Sequence, residues 1–306
     1  MTTSPAAQWG HAYWAAAEPF TLAALFTQEA GAVTEGVGLP ARAAYLVLRA
    51  APLGVAHPAV VTSAFHGFPQ ATIEQVLPGA WGVISPADAV AATHAAVAAS
   101  AARQFAEHPG KPQVSSMAVM LTEAVADLDT RGRPLAAANQ AVDPPTEPWA
   151  QLWRAMNTLR EYRGDAHIAA LVAADLDAVE AQVVMADWAG ERLQLDRLRQ
   201  SRSLTDEVWL AARARLHQRG LLTEQGSLTS AGRECRDGIE AATDVASARP
   251  FERLGADRCW ELWQFVGDLS SALIDTGRMI AVTPVGAPWP PPSPKVPRDL
   301  AVTPHS

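Results

Sequence analysis

Apolar residues recur every three or four positions along most of the chain, the spacing that places them on one face of an α-helix. Proline and glycine residues interrupt this pattern and mark the ends of the segments. In the first half, the pattern predicts helices at about residues 21–30, 41–51, 58–68, 85–107 and 115–131. In the second half, it predicts helices at about 148–163, 205–219 and 256–278, and others that begin near 165, 177 and 230. The protein is therefore predicted to be mainly α-helical.

The positions of glycine and proline also divide the chain into regions. Glycine and several prolines between residues 132 and 148 predict a domain boundary, and prolines crowd the last 24 positions. The aromatic side chains of residues 1–20 predict that this segment docks onto the body. We therefore expect a helical, ligand-binding region at 1–140, a second region with a C-terminal helix at 148–282, and a proline-rich tail at 283–306.

The densest pattern lies between residues 205 and 244. Thr205 is placed to cap a helix in which Trp209, Ala212 and Leu216 share one face. Gly220 ends that helix, and two short extended runs then flank a Glu-Gln-Gly turn before a helix resumes near residue 230. This order predicts the fold class: mainly α, an N-terminal helical region plus a C-terminal winged helix-turn-helix with a short β-hairpin wing.

Several segments resemble known helix-turn-helix proteins. The pieces "RGLLT" and "LTSAG", at 219–223 and 228–232, resemble MarR-type winged-helix proteins. Longer pieces between residues 41 and 255, among them "FHGFPQATIEQVLPGAW" and "LREYRGDAHIAALVAADLDAVEAQVV", resemble a large, mostly uncharacterised actinobacterial helix-turn-helix family. The resemblance implies a regulator-like protein. It carries over no catalytic residue.

Charge and composition limit the classes of partner and cofactor that the protein is expected to bind. The formal net charge is −8, and no apolar run reaches the roughly 18 residues that span a bilayer. Cys235 and Cys259 lack a CxxC partner, and the histidines are scattered, so no metal site and no cofactor are predicted. We expect a cytoplasmic protein without a membrane partner.

Arginines on the helix after Thr205 are the candidate DNA-binding residues: Arg213, Arg215 and Arg219, with Arg197, Arg199 and Arg202 upstream. Residues 191–237 hold nine arginines and seven acids, a balance of 9 − 7 = +2. The tip of the expected wing is Glu224-Gln225, which would face phosphate with a negative charge. Two interpretations stay open: a DNA-binding surface, or a helix-turn-helix used as a packing module.

A polar cluster around Gly164 is the candidate chemical centre. Tyr162, Asp165 and His167 are the candidate catalytic residues, and Arg163 is expected to pair with Asp165 across a helix–glycine–helix junction. His167 would then lie in the first turn of a helix, where the dipole disfavours its protonation. The alternative is a charged cap network that only fixes the angle between two helices.

Aromatic residues accompany two further histidines. His11 lies near Trp14, and His66 follows Phe65 directly. Aromatic side chains with a few polar groups are typical of small-molecule sites, although they also occur in ordinary cores. The candidate ligand-binding residues are His11, Trp14, Arg49, Phe65, His66 and Arg163.

Two functions remain open. The first is a small-molecule-binding winged-helix protein that acts as a ligand-responsive transcriptional regulator, with duplex DNA and a second copy of the chain as candidate partners. The second is a cofactor-independent enzyme, or a ligand-sequestering protein, of specialised metabolism. A cavity shared by the three histidines would favour the second. An exposed ridge of the three arginines, repeated across a dimer, would favour the first.

Overall fold

The computed structural model describes residues 4–40, 43–279 and 285–294. The first ten helices in this part of the chain are α1 (Pro5–Ala23), α2 (Gln28–Glu35), α3 (Ala44–Ala50), α4 (Pro58–Phe65), α5 (Gln70–Glu74), α6 (Leu77–Ala80), α7 (Pro86–Gln104), α8 (Val114–Val125), α9 (Pro134–Ala141) and α10 (Pro148–Ala173). They are followed by α11 (Ala178–Ala189), α12 (Leu195–Ser201), α13 (Asp206–Gln218), α14 (Ser230–Ala246), α15 (Arg249–Leu254) and α16 (Ala256–Asp275). The mainly helical character that the apolar spacing predicts is confirmed.

The aromatic N-terminal segment forms α1, which is buried along most of its length. Ser4 caps the helix, and proline at the first helical position fits because its missing N–H would have no helical partner. Ser270 of α16 joins the two helices, donating to the carbonyl of Ala16 at 2.6 Å and accepting from the amide of Phe20 at 3.3 Å. The prediction that this segment docks onto the body is confirmed.

Two large hydrophobic cores organise the helices, and a small third cluster joins the end of α11 to α12. The first collects side chains from the N-terminal helices, from most of α10 and from α15 and α16. The second collects the end of α10 with α11, α13 and α14. The chain thus leaves the first core at α10, builds the second, and returns to the first with its last two helices.

Helix α10 joins the cores without a break. It runs for 26 residues straight through Gly164, so the predicted helix–glycine–helix junction is wrong. A glycine inside a helix costs only about 1 kcal/mol relative to alanine, and α10 is buried on nearly every side. Packing therefore outweighs the local preference, and neither Asp165 nor His167 lies at a helix end.

Helix α12, a turn at residues 202–205 and α13 are two successive helices joined by a short turn, the arrangement of a helix-turn-helix. Ser203 adopts a positive φ of 53° in the turn, and Thr205 caps α13 by accepting from the amide of Val208. Trp209, Ala212 and Leu216 are buried on one face, as their spacing predicts. The predicted cap and buried face of the helix after Thr205 are confirmed, whereas the sequence pattern does not predict α12.

The predicted β-hairpin wing is wrong. In the described part of the chain there is no β-strand, and Leu222 and Leu228 form a single antiparallel bridge. A tight turn closes between them, where the amide of Thr223 donates to the carbonyl of Ser227 at 2.8 Å. The second run cannot extend because Thr229 already caps α14, accepting from the amide of Gly232. The fold class is therefore helical, with a short loop in place of a wing.

Gly226 lies at the tip of this loop, where the backbone and a neighbouring side chain require glycine. Its φ is +87°, and a Cβ there would collide with the guanidinium of Arg213, which donates to the carbonyl of Gln225 at 3.2 Å. We expect Gly226→Ala to destabilise the helix-turn-helix by about 1 to 3 kcal/mol, because both the backbone and the arginine must move. Thermal unfolding followed by circular dichroism measures the change.

A matched control lies on α14. Gly238 is exposed, has no atom near the position of an added Cβ and lies inside a helix. Gly238→Ala should therefore raise stability by up to about 1 kcal/mol. Equal effects of the two substitutions would contradict the special role of Gly226.

Among the residues that are described, no single helix is both long and apolar enough to cross a membrane. One pair of helices bent by 102°, Ala44–Leu53 with Pro58–Phe65, meets those limits by length and composition alone. The end of the predicted proline-rich tail, residues 295–306, lies outside the described residues.

Candidate functional site

A cleft of about 190 Å³ lies between the two cores. Its walls come from α1, α3, α4, α10, α11 and α14, and from the turn of the helix-turn-helix. Helix α10 contributes a continuous stripe because residues three and four apart share a face. The stripe consists of Arg160, Glu161, Arg163, Gly164, His167, Ile168 and Leu171.

A buried chain of ion pairs lies on one side of the cleft. Glu161, which is 0% exposed, accepts from Arg49 through both oxygens, at 2.9 and 2.8 Å. Arg160 donates to Glu161 at 3.0 Å and to Glu18 at 3.0 Å. Burial alone would raise the pKa of Glu161, but Arg49 and Arg160 lower it below its ordinary value. The carboxylate is therefore charged in the folded protein.

A second ion cluster lies where α10 meets α14. Arg163 donates to Glu240 and to Asp244, each at 2.9 Å, and its guanidinium stacks on Trp14 at 4.5 Å from the ring centre. Arg236 also pairs with Glu240. Burial alone would raise the pKa of Glu240, but Arg163 and Arg236 hold it well below its ordinary value. The expected pairing of Arg163 with Asp165 is thus replaced by pairs between different helices.

His11 lies at the edge of this second cluster. Its Nδ1 is 3.5 Å from Asp244 and 3.8 Å from Glu240, and its ring meets Trp14 edge-to-face at 5.5 Å. These three side chains are close enough to hold a metal ion. The guanidinium of Arg163, however, already contacts both carboxylates and supplies the positive charge there.

His66 and His167 line the cleft together, whereas His11 does not. His167 Nδ1 lies 3.1 Å from the hydroxyl of Thr243 and 3.5 Å from Glu240. Burial lowers the pKa of His167 to about 4 and also lowers that of His66. A neutral His167 matches the expectation. The cause, however, is loss of water where α10 meets α14, and not the position at a helix N-terminus that the sequence predicts.

The other candidate ligand-binding residues also meet here. Trp14, Arg49, Phe65 and Arg163 all line the cleft, although they come from four different helices. Arg49 stacks on Phe65 at 4.3 Å from the ring centre. The structure brings this set together, apart from His11.

Tyr162 and Asp165 face away from the cleft. The ring of Tyr162 packs against the guanidinium of Arg133 at 4.0 Å, and its carbonyl accepts from the same arginine. Asp165 accepts from the amide of Ala136 at 2.8 Å and so caps the start of α9. Burial raises the pKa of Asp165 to about 7. Neither side chain is positioned to act with His167 on one ligand.

The candidate DNA-binding arginines hold α13 onto its neighbours. Arg215 donates to Glu180 at 2.9 Å and to Asp177, and Arg219 donates to Glu180 at 3.1 Å. Arg213 lies over the loop at Gly226. The three side chains are therefore engaged within the chain and do not form a free ridge.

The inward position of Arg202 was not predicted from the sequence. The sequence placed Arg202 with the upstream arginines of a phosphate-facing surface. In the structure its side chain lines the cleft and stacks on Phe68 at 3.4 Å from the ring centre. Sequence reasoning also missed Glu161, whose partner Arg49 is 112 residues away. No local pattern relates residues so far apart.

The chain was compared with protein families, curated proteins and solved structures. A sequence model described as a helix-turn-helix family matches residues 10–280. No curated protein and no solved structure matches the chain. Because the family match covers both cores and the α12–α13 unit, the protein belongs to this helix-turn-helix family.

Proposed function

We propose that the protein is a small-molecule-responsive regulator of the helix-turn-helix class. One observation carries the proposal: the cleft is lined by helices of both cores and by Arg202, the first residue of the turn between α12 and α13. A ligand bound there would touch the helix-turn-helix directly. Such a ligand can shift the protein between two arrangements if it binds one of them more tightly.

Duplex DNA is the proposed macromolecular partner. In helix-turn-helix proteins the second helix of the motif enters the major groove, and α13 holds that position here. Ala211 and Ala214 are exposed on α13, while Arg215 and Arg219 fasten the helix to the start of α11. In this proposal, the exposed face of α13 contacts base edges, and the arginines orient it.

Selection of bound duplexes from a random DNA library, with the purified full chain at low salt, tests this function. The natural chain should enrich one sequence. Ala211→Glu combined with Ala214→Glu should weaken binding to it by at least about tenfold, because two added carboxylates would face the DNA. Neither substitution removes a contact of the arginines.

A matched control places the same charges elsewhere. Ala91 and Ala95 are exposed on α7, and changing both to glutamate should leave the enriched sequence and its affinity nearly unchanged. If no sequence is enriched, the regulatory function is wrong; if the two double variants bind equally, α13 is not the surface that contacts the DNA.

A second candidate function uses the same cleft without DNA. Asp206 and Glu207 are exposed at the start of α13, where they would approach phosphate with negative charge. His66 and His167 face the cleft in neutral form. These observations favour a cofactor-independent enzyme or a ligand-sequestering protein, and tight ligand binding without DNA enrichment would select it.

Several finer features belong to the same proposal. They are a closer kinship with MarR-type regulators, an actinobacterial family, a role in specialised metabolism, a cytoplasmic location and a homodimer. Gel filtration with light scattering tests the homodimer directly, because a dimeric mass doubles the 32.4 kDa of one chain.

A further inference from the structure

A second pocket, larger than the cleft, opens beside it. It has a volume of about 650 Å³, within the range of small-molecule sites. Four residues line both spaces: Tyr45, Arg160, Arg202 and Val285. The pocket is walled largely by apolar side chains, including Leu22, Phe26, Leu39, Leu46, Phe68 and Val76.

Phe26 shows how this pocket differs from a core. Its side chain is 61% exposed although it stacks on Tyr45, with 5.3 Å between ring centres. Exposed aromatic surface that lines a concavity is the kind of surface that apolar ligands cover. The pocket is therefore suited to the apolar part of a ligand.

The boundary between the two spaces carries an excess of positive charge. Three arginines meet there, Arg49, Arg160 and Arg202, and two carboxylates, Glu18 and Glu161, neutralise the first two of them. Within the described ranges, no carboxylate lies within ion-pair distance of Arg202, and its buried Nε has no hydrogen-bond partner. The balance of these five side chains is 3 − 2 = +1.

The positive charge at this boundary shifts the pKa of Tyr45 and of Arg202. Burial alone would raise the pKa of Tyr45, yet Arg49, Arg160 and Arg202 bring it below its ordinary value. Burial lowers the pKa of Arg202 to about 10; Tyr45, which is hydrogen-bonded to Arg202, opposes this shift, and repulsion from Arg49 and Arg160 adds to it. A half-buried cation without a carboxylate partner is costly, and an anion at this point would relieve that cost.

We propose that the cleft and the pocket together bind one amphipathic anion, a small molecule with a carboxylate or phosphate group on Arg202 and an apolar body in the pocket. Guanidinium groups bind both anions through paired hydrogen bonds. The inference rests on the proposed function, since it names the class of ligand. It also places the anion on the turn before α13, the unit that would read DNA.

Titration calorimetry with a matched set of probes tests the proposal: decanoate, decyl phosphate, decan-1-ol and acetate. Decanoate or decyl phosphate should bind about ten- to a hundredfold more tightly than the neutral alcohol. Acetate should bind far more weakly, because it leaves the pocket unfilled. The comparison of decanoate with decyl phosphate identifies the preferred head group.

Substitutions of Arg202 test whether this residue binds the anionic group. Arg202→Gln should abolish the preference for the anionic probes over decan-1-ol, and Arg202→Lys should retain part of it because the charge remains. Arg103→Gln, which removes an exposed arginine paired with Glu29, is the control and should behave as the natural chain. Melting curves establish that each variant is folded.

Three results would overturn the proposal: equal affinity for decanoate and decan-1-ol, an unchanged preference in Arg202→Gln, or no binding of either anionic amphiphile. The test is independent of DNA selection. Loss of anion binding with DNA enrichment intact would reject the ligand class alone, whereas anion binding without DNA enrichment would reject the regulatory role alone.

Discussion

Glu161→Gln is expected to lower the free energy of unfolding by about 3 to 5 kcal/mol, the usual effect of removing one partner from a buried ion pair. Glu161 is fully buried and accepts from both Arg49 and Arg160. Glutamine keeps the shape but removes the charge, so one positive charge of the network is left without compensation. Urea unfolding followed by tryptophan fluorescence measures the loss.

Glu29→Gln provides the control for this prediction. Glu29 forms the same type of pair with Arg103, but that arginine is 53% exposed. Exposed pairs contribute less than about 1 kcal/mol, so the control should change the urea midpoint only slightly. Equal effects would mean that the buried network does not stabilise the fold.

Asp165→Asn is expected to stabilise the protein at pH 8 and to have little benefit at pH 4. Burial raises the pKa of Asp165 from 3.8 to about 7, so the folded protein holds a proton that the unfolded chain releases. The wild-type stability should therefore fall as the pH rises from about 4 to 7, by at most about 1.4 kcal/mol per pH unit from this group. Asparagine removes the titration and can still accept from the amide of Ala136.

Urea midpoints of both proteins at pH 4, 6 and 8 measure this dependence. Other titrating groups are shared, so the difference between the two proteins isolates Asp165. The gap should grow with pH and level off above about 7. A constant gap would show that Asp165 keeps an ordinary pKa in the folded state.

Local structure was largely predictable because its causes are local. The cap at Thr205, the buried face of α13 and the docking of the N-terminal aromatics follow from spacing and residue type. Gly164 was misread because its neighbourhood looks like a helix end, whereas packing on all sides keeps α10 continuous. The prediction of a wing was wrong because Thr229, where the second strand would have to continue, is already the N-cap of α14.

The site was less predictable because its contacts join distant segments. Several of its residues were singled out by type, as aromatic, histidine or arginine, and these proved to share one cleft. Their partners could not be named, since Arg49 meets Glu161 across 112 residues and Arg163 meets Glu240 across 77. Whether an arginine faces solvent or the interior depends on the packing of helices, as Arg202 illustrates.

The continuity of α10 limits how this chain can change in length. Side chains that serve the first core end at Tyr162, and those that serve the second begin at Leu171. One residue inserted between them would turn one core by about 100° relative to the other, because a helix has 3.6 residues per turn. The stripe that lines the cleft would then be split between two faces. Loops elsewhere can vary in length, but this segment must keep its rotational phase.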